Sequence, residues 1–147
     1  MFLPSTRKKA RELLVQALYQ WSVSGTEVSS IELEFKDNNN MKKVDTDFFK
    51  ELLYSIPDKL DEVDASYEKY LDRESKSLDL VSKALLRIGC YELCFRIDVP
   101  YKVVINEAVN LAKKFGPTDT YKYINGILDK VALEKRTIEI NSERNVK

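Results

Sequence analysis

The sequence predicts an all-α protein, and three observations carry that prediction. Apolar residues recur at i, i+3, i+4 and i+7 along most of the chain. No stretch sustains the apolar–polar alternation of a half-buried strand. Glycine and proline together number 8 of 147 residues, about half their usual share, which argues against a loop-rich β-sandwich. At this length one domain is expected over residues 1–147, with a basic segment at 1–11 and a polar, frayed tail at 137–147.

The first helix is the clearest. Ala10, Leu13, Leu14, Ala17, Leu18 and Trp21 fall on one stripe. Ser5 or Thr6 can cap its start, and Ser22 to Gly25 ends it. Ile31, Leu33 and Phe35 suggest a short second helix, and Asp37 to Asn40 reads as a loop. Asp45 then suits an N-cap. Asp47 sits in the first turn, where the helix dipole favours an acid, and Phe49, Leu52, Leu53 and Ile56 form the inward stripe. Pro57 separates this element from a helix carrying Leu60, Val63, Tyr67 and Leu71, and residues 72–77 read as a polar linker.

From Leu78 to Phe95 thirteen of eighteen residues are apolar, counting Gly89. A helix apolar nearly all round belongs in the centre of a fold. Asp98-Val99-Pro100 opens the next helix, since proline suits a first turn, and Val104, Ala108, Leu111, Ala112 and Phe115 give its stripe. Gly116-Pro117 stops it. The last helix buries Ile124, Ile127, Leu128 and Val131. Gly126 within it costs roughly 1 kcal/mol, which implies a closely packed backbone or a break.

Composition narrows the function. Hydrophobic residues are 44% of the chain, enough for a core, yet no apolar run approaches a membrane span of about 18 residues. Met1 to Pro4 is too short for the apolar region of a secretory leader, and two cysteines fit a reducing cytoplasm. The chain has no histidine, the commonest general base and metal ligand. Cys90 and Cys94 lie i, i+4 on the most apolar helix and read as core residues. No glycine-rich phosphate loop occurs. No catalytic site, metal or cofactor is therefore expected.

Net charge is zero, but residues 1–25 carry +3, residues 26–80 carry −7 and residues 81–147 carry +4. Charge alone favours an ordinary solvated surface with random clustering, and the alternative is a polyanionic partner at one face. Arg7, Lys8 and Lys9 occupy the first turn of the first helix, where the dipole is already positive, at about 0.3–1 kcal/mol each. Arg11 follows one turn beyond Arg7 on the same face, and Lys8 has Glu12 as its helical partner. Two readings fit the cluster equally: a basic, disordered N-terminal tag, or a contact with a phosphate backbone, which would turn this cost into a gain. Near the other end, Tyr121, Lys122 and Tyr123 follow Asp119, a pairing that suits unpaired bases and their phosphates. Tyr121 joins the stripe of Ile124 and Leu128, so Tyr123 is the better stacking candidate.

Four blocks stand out in order: Arg7 to Trp21 (RKKARELLVQALYQW), Lys83 to Leu93 (KALLRIGCYEL), Asp98 to Gly116 (DVPYKVVINEAVNLAKKFG) and Tyr121 to Lys130 (YKYINGILDK). Together they resemble the NusB family of transcription antitermination factors. The resemblance runs from Arg7 to about Ala132, and residues 26–77 match mainly in length and helical character. It implies about seven helices in two packed bundles of three to four. It implies a non-enzymatic protein that binds boxA RNA with ribosomal protein NusE and joins an RNA polymerase complex during ribosomal RNA transcription. By position, Arg7, Lys8, Lys9 and Arg11 would hold RNA phosphates, and Asp119, Lys122 and Tyr123 would form a second RNA-facing segment. Tyr123 stands where the family usually has phenylalanine. Tyr19 matches a position near the RNA and NusE surfaces. The family commonly places an acid, facing NusE, where this chain has Ser82, so the resemblance implies a partner-facing Ser82 with Asp79, one turn earlier, as the substitute acid.

Two other classes fit less of the sequence. One is a protein-only adaptor that docks a basic partner on the acidic middle. The other is the NusB-like domain of an RNA methyltransferase, for which 147 residues leave no room beside a catalytic domain. Monomer and homodimer are both compatible with the sequence.

Overall fold

The structure, a computed structural model, describes residues 4–72 and 77–145. These form eight α-helices and, between the second and third of them, a 3-10 turn. In chain order the elements are α1 (Pro4–Ser24), α2 (Val28–Asn38), the 3-10 turn (Met41–Lys43), α3 (Thr46–Asp58), α4 (Leu60–Glu68), α5 (Leu80–Phe95), α6 (Tyr101–Phe115), α7 (Thr120–Lys135) and α8 (Thr137–Asn145).

Two bundles share one core. Helices α1, α2 and α3 pack together, and α4, α5, α6 and α7 form the second group, with α8 laid against α7. Helix α5 joins them, because it packs on α1 and α3 as well as on α4, α6 and α7. Its sequence dictates this position. Every residue from Ala84 to Leu93 is buried, so α5 has no solvated face along that stretch. Gly89 lets α7 approach: a Cβ there would lie 2.9 Å from Cδ1 of the buried Leu128.

The element ends follow local chemistry. Gly25 adopts φ 68° and donates its N–H to the Trp21 carbonyl at 2.9 Å, closing α1. The Asp45 and Asp79 carboxylates accept from the N–H groups of Phe48 and Ser82, capping α3 and α5.

Several boundaries differ from the sequence reading. Helix α1 already includes Ser5 and Thr6, because Pro4 starts it, as its missing N–H allows. Helix α2 runs on through Asp37 and Asn38, and Asn39 alone bonds back, to the Phe35 carbonyl at 2.9 Å. Pro57 lies inside α3, and the break comes at Lys59. Leu71 falls beyond α4, and most of the expected polar linker, residues 73–76, lies outside the described residues. Helix α7 continues through Gly126, where an added Cβ would meet nothing, and nothing in the structure explains that glycine.

The expected frayed tail is helical from Thr137 to Asn145. Arg136 anchors it. Only 2% exposed, its guanidinium donates to the carbonyls of Leu93, Val99, Glu92 and Arg96 at 2.8–3.0 Å and to Glu139 at 2.6 Å. Glu139 also accepts from the Tyr101 N–H at 3.0 Å, which caps α6. One arginine thus gathers the end of α5, the start of α6 and α8.

Candidate nucleic-acid interface

The basic start of α1 divides between two edges of the helix. Residues 7 and 11 share a helical face with the fully buried Leu14 and Leu18. Arg7 Nε lies 3.2 Å from Asp45 Oδ2. Arg11 forms a bidentate pair with Glu92, Nε to Oε2 at 2.9 Å and Nη2 to Oε1 at 2.7 Å, and is 3% exposed. Both guanidiniums sit over the Phe48 ring, 4.5 and 5.1 Å from its centre, and Arg96 approaches the same ring at 5.3 Å. The expectation that Arg7 and Arg11 hold phosphates is therefore corrected. Arg11 is sealed inside, Arg7 is turned inward, and both tie α1 to α3 and α5.

Lys8 and Lys9 face outward. Lys8 pairs at 3.6 Å with Glu107 of α6 rather than with Glu12. Glu12 is taken instead by Lys114 at 3.0 Å. These two pairs link the solvent edge of α1 to α6, across a separation of about a hundred residues in sequence. Lys9 is exposed and has no ion pair among the described residues. At the end of α6, Lys113 Nζ stands 4.8 Å from the centre of the Tyr121 ring, and Lys122 Nζ is 5.9 Å from it. Lys8, Lys9, Lys113, Lys114 and Lys122 are all exposed. They form a strip over α1, α6 and the start of α7, with Tyr121 set among the last of them. Lys113 and Lys114 were not nominated from sequence. Their available signal was a lysine pair in the last turn of a helix, where the dipole favours cations, shortly before Tyr121.

Tyr121 and Tyr123 are alike in burial. Both are partly buried against the core. Tyr121 carries the lysines. The Tyr123 hydroxyl is sealed from solvent and finds no hydrogen-bond partner among the described residues. Asp119 is exposed in the left-handed conformation, φ 67°, which aspartate tolerates, and it turns the chain into α7.

The residues expected to meet a protein partner also separate. Tyr19 is 44% exposed on α1. Asp79 is exposed but spends its carboxylate on the cap, accepting from the Ser82 N–H at 3.1 Å and the Ser82 hydroxyl at 2.6 Å. Ser82 is 1% exposed, so it presents no surface to a partner, which corrects that assignment. Cys90 lies in the core, as expected, where burial pushes its thiol up to about 12, whereas Cys94 is half-buried, with its thiol also raised by burial. Among the described residues no helix is long and apolar enough to cross a membrane, and no cluster of three His, Cys, Asp or Glu side chains could hold a metal.

Comparison with known proteins adds to this geometry. The sequence profile of the NusB family matches residues 8–133. The transcription antitermination protein NusB of Hahella chejuensis (strain KCTC 2396) is 47% identical over 141 residues, covering 96% of this chain and 95% of that protein. The protein of the same name from Pasteurella multocida (strain Pm70) is 52% identical over 128 residues, covering 87% and 89%. Among solved structures, T. maritima NusB superimposes with a TM-score of 0.78 at 29% identity, covering 91% of this chain and 94% of that one. A chain from the crystal structure of antitermination factors NusB and NusE in complex with dsRNA gives a TM-score of 0.76 at 26% identity, covering 88% and 98%.

Proposed function

Since this chain belongs to the NusB family, we propose that it is a transcription antitermination factor that binds boxA RNA together with NusE and carries it to an RNA polymerase complex, supporting ribosomal RNA transcription. It acts as a binding module in the cytoplasm and not as an enzyme. Relatives of nearly the same length that bear the antitermination name favour this reading over a methyltransferase domain. The observation that carries it to particular residues is the Glu12–Lys114 pair, which makes one basic strip out of two segments distant in sequence. Lysine ammonium groups release counterions when phosphates replace them, so the strip supplies affinity that depends on salt. Tyr121, flanked by Lys113 and Lys122, offers a ring on which an unpaired base can stack while its phosphates are held. NusE then adds a second surface to the same strand and raises the affinity of the composite site.

The test is titration of the protein, alone and with NusE, against single-stranded boxA RNA at several salt concentrations. Five lysines at roughly −0.7 each give a log–log salt slope no steeper than about −3.5 for the protein alone. Lys8→Ala with Lys9→Ala flattens it by about 1.4. A flat salt dependence, or no gain in affinity with NusE, overturns the proposal.

A further inference from the structure

We infer that the groove between α1 and the α2–α3 connection is a second nucleotide-binding site, which takes an unstacked base of single-stranded RNA. The inference rests on the RNA-binding reading above and extends the lysine strip onto a region that no sequence motif marked. The groove has a volume of about 430 Å³, within the range of roughly 300–1,000 Å³ usual for small-ligand sites. One wall is a single face of α1, with Lys9, Leu13 and Gln16 at i, i+4 and i+7. The other is Asn39, Asn40 and Lys43, from the end of α2 and the 3-10 turn.

The chemistry of the walls is that of a base and its backbone. Leu13 and Val44 are half-buried and give the groove an apolar floor, against which an aromatic ring gains by leaving water. Three carboxamides surround that floor. Each is held by a local bond that leaves part of its hydrogen-bonding capacity unused: Gln16 Nε2 donates to the Glu12 carbonyl at 3.2 Å, Asn39 Nδ2 to the Phe35 carbonyl at 2.9 Å, and Asn40 Oδ1 accepts from the Lys42 N–H at 3.1 Å. A carboxamide offers donor and acceptor side by side, which matches the edge of a base. Lys9 and Lys43 are exposed on opposite walls, with Lys42 beside Lys43, so ammonium groups flank the groove on both sides as phosphates flank a base. Glu12 lines the groove and also pairs with Lys114. The groove and the strip therefore adjoin along α1, and one strand can pass from one to the other.

The experiment uses the full chain and a short single-stranded RNA carrying 4-thiouridine at one position at a time, with photocrosslinks mapped by mass spectrometry. The expected result is a crosslink into residues 39–44 or to Gln16 from one position, in addition to crosslinks near Tyr121. Lys43→Ala should reduce the magnitude of the salt slope by about 0.7. Gln16→Ala should weaken binding about threefold to tenfold with the slope unchanged, since a hydrogen bond is lost but no counterion release. If RNA binds and crosslinks at the strip while both variants bind like the parent, the groove inference is overturned and the RNA-binding reading stands. If no RNA binds at all, both fall. Protection of residues 39–44 from hydrogen exchange by NusE but not by RNA would assign the groove to the protein partner and also overturn the inference.

Discussion

The two edges of α1 begin from the same kind of residue and end in different environments. On the inner edge Arg7 and Arg11 face Asp45, Glu92 and the Phe48 ring. On the outer edge Lys8 and Lys9 stand in solvent. The division extends through the molecule. Of the described arginines, Arg11, Arg87 and Arg136 are buried, Arg7 and Arg96 are half-buried, and Arg144 alone is exposed. Every described lysine is exposed except the half-buried Lys83. The physical reason is the difference between the two cations. A guanidinium is weakly hydrated and planar, and it satisfies a carboxylate or several carbonyls at a fixed geometry. An ammonium is strongly hydrated and stays in water, where it is available to a phosphate strand. A cluster of positive charge in sequence is therefore two structures here, an internal brace and an external binding strip.

The most severe way to break this comparison is to remove one member of the brace. Arg11→Ala leaves the Glu92 carboxylate, 1% exposed, without its bidentate partner. Loss of one partner from a buried pair costs about 3–5 kcal/mol, whereas Lys9→Ala on the outer edge should stay within about 0.5 kcal/mol. Denaturant unfolding of the two variants measures the contrast. Arg11→Met combined with Glu92→Leu should recover most of the loss, because it removes the stranded charge and keeps the volume. An Arg11→Ala protein that unfolds like the parent yet binds RNA poorly would return Arg11 to the interface.

Much of this was legible in the sequence, and the failures have physical causes. The stripes of α1, α3, α5, α6 and α7, the Asp45 cap and the central place of α5 follow from periodicity and local hydrogen bonding. So did the division of α1, in principle. Positions 7, 11, 14 and 18 lie on one face, which carries Leu14 and Leu18 into the core and the two arginines with them. In sequence a cluster of charge points to solvent, but the carboxylates that answer it, Asp45 at the start of α3 and Glu92 of α5, come from elsewhere in the chain. The same holds for Arg136, whose partners lie about forty residues earlier in the chain and hold α8 in place. The strip was half legible: Lys8, Lys9 and Lys122 stood out, but only the tertiary contact with Glu12 brings Lys114 beside α1.

A smaller effect sharpens the comparison at the α7 end. The Tyr123 ring is packed against the core and its hydroxyl is buried without a partner among the described residues. A buried polar group of this kind costs about 1–3 kcal/mol, so Tyr123→Phe should raise stability by about 1 kcal/mol, measured by thermal unfolding. RNA affinity should be unchanged if Tyr121 is the stacking ring. A fall in affinity with unchanged stability would show instead that the Tyr123 hydroxyl meets the ligand.

The smallest effect tests what an ion pair contributes away from the interior. Lys69 and Tyr70, just past α4, both reach Glu134 of α7, at 2.8 and 2.6 Å. The Lys69 hydrogen bond, with that of Tyr70, holds the Glu134 carboxyl down at about 2. The folded value lies below the ordinary 4.5, so the folded state favours the ionised form. The resulting stability is fully present above pH 4.5 and is lost as the pH falls through about 2. Glu134→Gln removes that dependence, and the parent should lose more stability than the variant between pH 4.5 and 2. The site is open to water and salt, so the difference should stay below about 1 kcal/mol and shrink as sodium chloride is added. Denaturant unfolding at pH 5 and pH 3, in low and high salt, measures it. A difference as large as that expected for Arg11, or one that salt leaves unchanged, would mean that burial does not set the worth of charge pairs in this fold, and the contrast between brace and strip would lose its physical basis.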